Sequence, residues 1–192
     1  MLGRIIEALA VVMAILGGLV LTVLILLTCT SITGRFLSDV LHSDPLMGSG
    51  FSNALVALGV GPVNGDFELV EAGMAFVIFA FLPLTHLRGG HASVDILTNL
   101  LGTGVNRCLA ALWSTLFAAV MVLIALQLWQ GTVDKIGNGE TSYLIQFPIW
   151  WAYAAALSGA VASALVAIYV ALVRLAELLT GDTILVWEGA EH

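Results

Sequence analysis

The side chains able to do chemistry in this chain are few, and they gather at the ends of apolar runs. His86, His91 and Asp95 surround Gly89-Gly90 in the stretch from Leu84 to Leu97. A histidine can ligate a metal or haem, but no second histidine lies deep in a facing helix to complete a haem pair. The glycine pair lacks the Gly-x-x-x-x-Gly-Lys spacing of a phosphate loop. Glu68 and Glu71, three apart, are neighbours on one helical face and suit an acid/base pair or a metal site. At a helix start beside a bilayer they also read as solvated end charges, which is the expectation here. Cys29 and Cys108 fall at opposite ends of their spans and cannot be bridged. These patterns predict no catalytic residue, no cofactor and no metal, hence not an enzyme.

The elements that hold these residues are membrane helices. Of 192 residues, 60% are hydrophobic and only 10% are charged, with a mean hydropathy of +1.05. A soluble domain carries about a quarter charged residues. Lys and Arg together number six and form no cluster, which excludes nucleic acid as a partner. The reading is an all-α integral membrane protein.

Four spans are predicted. The first covers about 8–34 and has no charge from Ala8 to Gly34, which is too long for a cleaved signal peptide. Ala10, Ala14 and Gly18 offer a small-residue ridge on it. An outer loop over 35–65 follows, either functional or disordered. The second span, about 66–87, starts with Asp66 as a cap and carries Pro83 as an expected kink near its end. The third, about 106–133, shows a ridge of Ala110, Ser114 and Ala118. The fourth, about 146–175, opens on the aromatic belt Trp150, Trp151 and Tyr153. Its dense small-residue face includes Ala155, Gly159 and Ser163, for internal packing or for a partner helix. A tail over 176–192 closes the chain.

Between the second and third spans, 91–102 reads as a short amphipathic helix in the membrane interface. Val94, Ile96, Leu97, Leu100 and Leu101 share one arc at about 100° per residue, with His91, Asp95, Thr98 and Asn99 opposite. Arg4, Arg88, Arg107 and Arg174 mark one side and Arg35 and Lys135 the other. That bias places both termini in the cytoplasm. The outer side is then distinctly acidic, with Asp39, Asp44, Asp66, Glu68, Glu71, Asp134 and Glu140. No charge lies deep in any span, where ion-coupled transporters need ionisable groups or broken helices. The chain reads as a subunit of something larger.

Arg88-Gly89-Gly90-His91-Ala92-Ser93-Val94-Asp95-Ile96-Leu97 resembles the motif after the second span in the small permease subunit of tripartite ATP-independent periplasmic (TRAP) transporters, the DctQ type. Arg35-Phe36 is similar to the Arg-aromatic pair closing the family's first span, where Tyr is more usual. Gly65-Asp66-Phe67-Glu68-Leu69 and Phe147-Pro148-Ile149-Trp150-Trp151 resemble the openings of its second and fourth spans. The segment from about Val40 to Val63 looks inserted. The resemblance implies Arg35, Glu68, Glu71, Arg88, Gly90, His91, Val94 and Asp95 as family-motif positions. It also implies a bacterial inner-membrane scaffold beside a large permease subunit, which would hold Na⁺ and substrate. A periplasmic binding protein would deliver the cargo, an organic acid. A reading from another class is the membrane anchor of a respiratory or redox enzyme, which the optical spectrum of a haem would reveal.

Overall fold

The computed structural model describes residues 2–42, 59, 61–89 and 103–180. Among these, four helices are long and apolar enough to cross a membrane: α1 (Leu2–Leu41), α2 (Asp66–Leu87), α3 (Thr103–Asn138) and α4 (Trp150–Thr180). The fold class read from the sequence is the one observed. The interfacial helix expected over 91–102 lies outside the described residues, and so do Gly90, His91, Val94 and Asp95.

The helices overrun the spans that hydropathy marks. α1 has 40 residues, about 60 Å of helix against a hydrocarbon layer of about 30 Å. Arg35 therefore does not end it; helix continues to Leu41, well into the expected outer loop. α4 begins at Trp150, after Pro148, and runs to Thr180, so Ala176 to Thr180 belong to the helix and not to a tail. Gly89, at φ 66°, ends α2.

The chain runs up, down, up and down. Ile6 and Leu9 near the start of α1 meet Leu84 and Leu87 at the end of α2 and Val166 and Val170 late in α4. In space the order is α1, α2, α4, α3: α3 packs on α4, α4 on α2 and α2 on α1, with only light contact between α1 and α4. Burial follows that order. The most apolar window of α4 is 56% buried, against 17–22% in the other three helices.

The two outer helices present seams with a seven-residue repeat. On α1 the buried positions Ala10, Gly17, Leu24 and Ser31 stand seven apart, with Met13 between the first two. On α3 they are Ala111, Ser114, Ala118, Met121 and Thr132. A 3.5-residue spacing keeps one face toward a neighbour along the whole helix. The every-fourth ridge of Ala10, Ala14 and Gly18 winds away from that seam. A Cβ on Gly18 would meet nothing within 4 Å, whereas one on Gly17 would lie 2.9 Å from Ala80 Cβ on α2.

A close backbone approach joins α2 and α4. A Cβ on Gly159 would stand 2.8 Å from Phe79 Cβ and 3.2 Å from its carbonyl carbon, so this position takes glycine. One turn on, the buried Ser163 hydroxyl donates to the Phe79 carbonyl at 2.8 Å. That carbonyl is the one Pro83 orphans. Proline has no N–H to give to the residue four before it, and hydrocarbon offers no water in its place. Ser163 supplies the donor, and α2 continues through Pro83 to Leu87.

Ser163→Ala should therefore cost about 1–2 kcal/mol. Pro83→Ala in the same chain should recover much of that loss by restoring the N–H. A double-mutant cycle on unfolding in mild detergent checks this, with strong non-additivity expected. Gly159→Leu should cost more than either, about 1–3 kcal/mol or above, and Gly18→Leu little.

Candidate functional site

Acidic side chains at the start of α2 tie three elements together. Gly65 precedes the helix at φ 76°, a conformation glycine adopts without strain. A Cβ there would fall 2.2 Å from Ile145 Cγ1. Gly65, not Asp66, occupies the cap position, and Asp66 turns to α1 instead. Its Oδ2 accepts from the fully buried Ser31 hydroxyl at 2.5 Å, and its Oδ1 accepts from the Phe67 N–H at 2.9 Å. Arg35 lies 3.8 Å from Asp66 Oδ2 and is half exposed, so that ion pair adds little to the Ser31 bond.

Glu68 faces the α3–α4 connection, over 70 residues away in the chain. Its Oε2 accepts from the Ser142 hydroxyl at 2.7 Å and the Ile145 N–H at 3.0 Å, and its Oε1 from the Leu144 N–H at 2.6 Å. Successive N–H groups folded around one carboxylate make an anion nest. The connection is a small hairpin: Ser142 N–H donates to the Phe147 carbonyl at 2.9 Å and Ile149 N–H to the Glu140 carbonyl at 3.1 Å. Gln146 takes φ 58° at its turn. Glu68 is therefore no solvated end charge, which corrects the reading from sequence.

Glu71 is exposed and does not pair with Glu68. Both line a cleft of about 600 Å³ between α2, α3 and α4, walled by Ala72, Ala75, Leu128 and Ala156. Beside it, Lys135 donates to Glu140. That bond holds the Glu140 carboxyl below its ordinary value of 4.5. The pair's contribution is full above that value and is lost as pH falls through the lowered one.

At the other end, His86 is buried and its ring stacks on Phe117, centroids 4.2 Å apart. Arg174, partly buried, pairs with the buried Glu177 at 2.7 Å. Arg88 is exposed, just past the end of α2. On α4, Gly159 and Ser163 are buried against α2 and Ala155 is half-buried. Among the described residues no three His, Cys, Asp or Glu side chains come together as metal ligands.

The structure thus sets Arg35 beside Asp66 on the α1 side of the head of α2 and Glu68 on its hairpin side, leaves Glu71 exposed in the cleft, and puts Arg88 at the far end. Sequence reasoning missed Ser31, Ser142 and Glu177. Ser31 and Ser142 carry no signal of their own, since their partners lie 35 and 74 residues away. Glu177 was visible as a lone acid three residues after Arg174, a helical pairing distance.

These features define a multi-pass helical membrane protein with charged clasps at its ends and small-residue packing between them. The chain belongs to the DctQ component family of tripartite ATP-independent periplasmic transporters, whose model matches residues 24–178. It is a transporter component, and the match takes in the α3 seam, Leu24 and Ser31 of the α1 seam, the α2–α4 contact and the Glu68 clasp. No curated protein and no solved structure matches it.

Glu68→Gln replaces one acceptor oxygen with a donor and should open the hairpin. Amide hydrogen exchange at Leu144 and Ile145 should quicken on the order of tenfold. Glu71→Gln should leave it unchanged.

Proposed function

We propose that this chain is the small scaffold subunit of a Na⁺-coupled TRAP transporter for an organic acid. It braces a large permease subunit that holds substrate and Na⁺, while a periplasmic binding protein delivers the cargo. The observation that carries this reading is where the charges fall. Among the described residues every Asp, Glu, Lys and Arg lies near a helix end. Mid-depth is filled instead by Ala160, Ser163, Ala164, Val166 and Ala167 against α2 and α3. A pathway for an ion or a carboxylate needs polar groups there, and family membership supplies the partners that would have them.

The setting is the inner membrane with both termini cytoplasmic, supported by the basic residues at the Arg88 end. Arg88, Gly90, His91, Val94 and Asp95 then mark the cytoplasmic face. Arg35, Glu68 and Glu71 face the periplasm. Proteoliposomes holding this chain alone under a Na⁺ gradient should accumulate no organic acid. Adding the large permease subunit and the loaded binding protein should start uptake. Uptake by the chain alone would overturn the scaffold reading.

A further inference from the structure

The hairpin over 141–148 is built unlike a loop meant for water. It has no charged residue, and its tip exposes three side chains in a row: Tyr143 at 92%, Leu144 at 53% and Ile145 at 41%. Its backbone, by contrast, is well supplied with partners. Ser142 and Ile149 donate across the hairpin, and Leu144 and Ile145 donate to Glu68. Backbone N–H groups without partners cost several kcal/mol each outside water. For these four N–H groups the requirement is met in advance, by carbonyls across the hairpin and by one fixed carboxylate.

Depth points the same way. Glu68 belongs to the first turn of α2, so bonding to it folds the tip back against the head of the helix. It does not stand above the bundle. At this level α4 opens with Trp150 and Trp151, 37% and 57% exposed. On α3, Gly131 touches Tyr153, and Trp129 beside it is 59% exposed. Exposed tryptophans on two helices mark the plane where aromatic rings meet lipid headgroups. The tip continues that belt.

We propose that the 141–148 hairpin is an outer-leaflet membrane anchor. Tyr143, Leu144 and Ile145 enter the boundary between headgroups and acyl chains, and Glu68 holds the hairpin in the shape that lets them enter. The Leu144 and Ile145 side chains take the apolar side, and the Tyr143 hydroxyl reaches back toward the headgroups. Lys135, paired with Glu140 on the flank, stays in the polar layer. The occupant is lipid because the tip carries no charge, Tyr143, Leu144 and Ile145 outweigh the neutral Gln146 beside them, and the tip is continuous with the tryptophan belt. The assignment to the outer leaflet rests on the orientation proposed above; insertion of the tip does not depend on the transporter reading.

The test uses the full chain with Cys29→Ser and Cys108→Ser and a fluorophore on Leu144→Cys. The chain is placed in nanodiscs of phosphatidylethanolamine and phosphatidylglycerol. Lipids brominated near the top of the acyl chain should quench the label, and aqueous iodide should not. A label on Gly139→Cys, in the exposed turn after α3, should show the reverse. Adding Glu68→Gln should shift the Leu144 label toward iodide. Iodide quenching of the Leu144 label equal to that at Gly139 would overturn the proposal. So would protection from iodide that develops only when the large permease subunit is added, since that would mark a protein-docking loop. Bromolipid quenching left intact by Glu68→Gln, with the hairpin opened, would remove Glu68 from the anchor.

Discussion

One hydrogen bond, from the Ser163 hydroxyl to the Phe79 carbonyl, fixes the centre of this protein. Its force comes from the solvent. In water the carbonyl orphaned by Pro83 would find a partner anywhere; in hydrocarbon it has α4 or nothing. The bond demands that two backbones come close, and Gly159 allows it by having no side chain. Once α2 and α4 are locked, each has a face left over. α4 gives its second face to the Ala118–Met121 seam of α3. α2 takes the Gly17–Leu24 seam of α1, where Leu24 packs onto Gly73.

The charged clasps solve a different problem, the connections. Helices in a bilayer cannot be drawn together by the hydrophobic effect, because lipid is as apolar as they are. Ends and loops must be fixed by polar bonds instead. Asp66 fixes α1 through Ser31, and Glu68, two residues on, fixes the α3–α4 hairpin. The first turn of α2 is therefore the joint between the two halves of the chain, and Arg174 with Glu177 stiffens the other end of α4.

Much of this was legible in the sequence, and the failures have physical causes. Charge-free runs located all four membrane helices, since hydrocarbon excludes charge whatever the packing. They did not locate the helix ends. Ser38 and Asp39 can stay helical outside the bilayer, and hydropathy measures the bilayer, not the helix. The small-residue face of α4 was visible, but not the choice between internal packing and a partner; α2 takes Gly159 and Ser163. The ridge on α1 was misread because a four-residue spacing was assumed where the seam follows 3.5. Glu68 looked like a solvated end charge because its partners are N–H groups, which every sequence has everywhere. Only the fold brings those of Leu144 and Ile145 to it.

The proposed scaffold role requires the row of four helices to behave as one body. Spin labels on Leu19 of α1 and Leu116 of α3, both exposed and on the two outermost helices, test it by pulsed dipolar distance measurement in the assembled transporter. One narrow distance distribution that stays put when Na⁺, substrate and binding protein are added together is expected. A second distance, or a shift in the first during turnover, would contradict it.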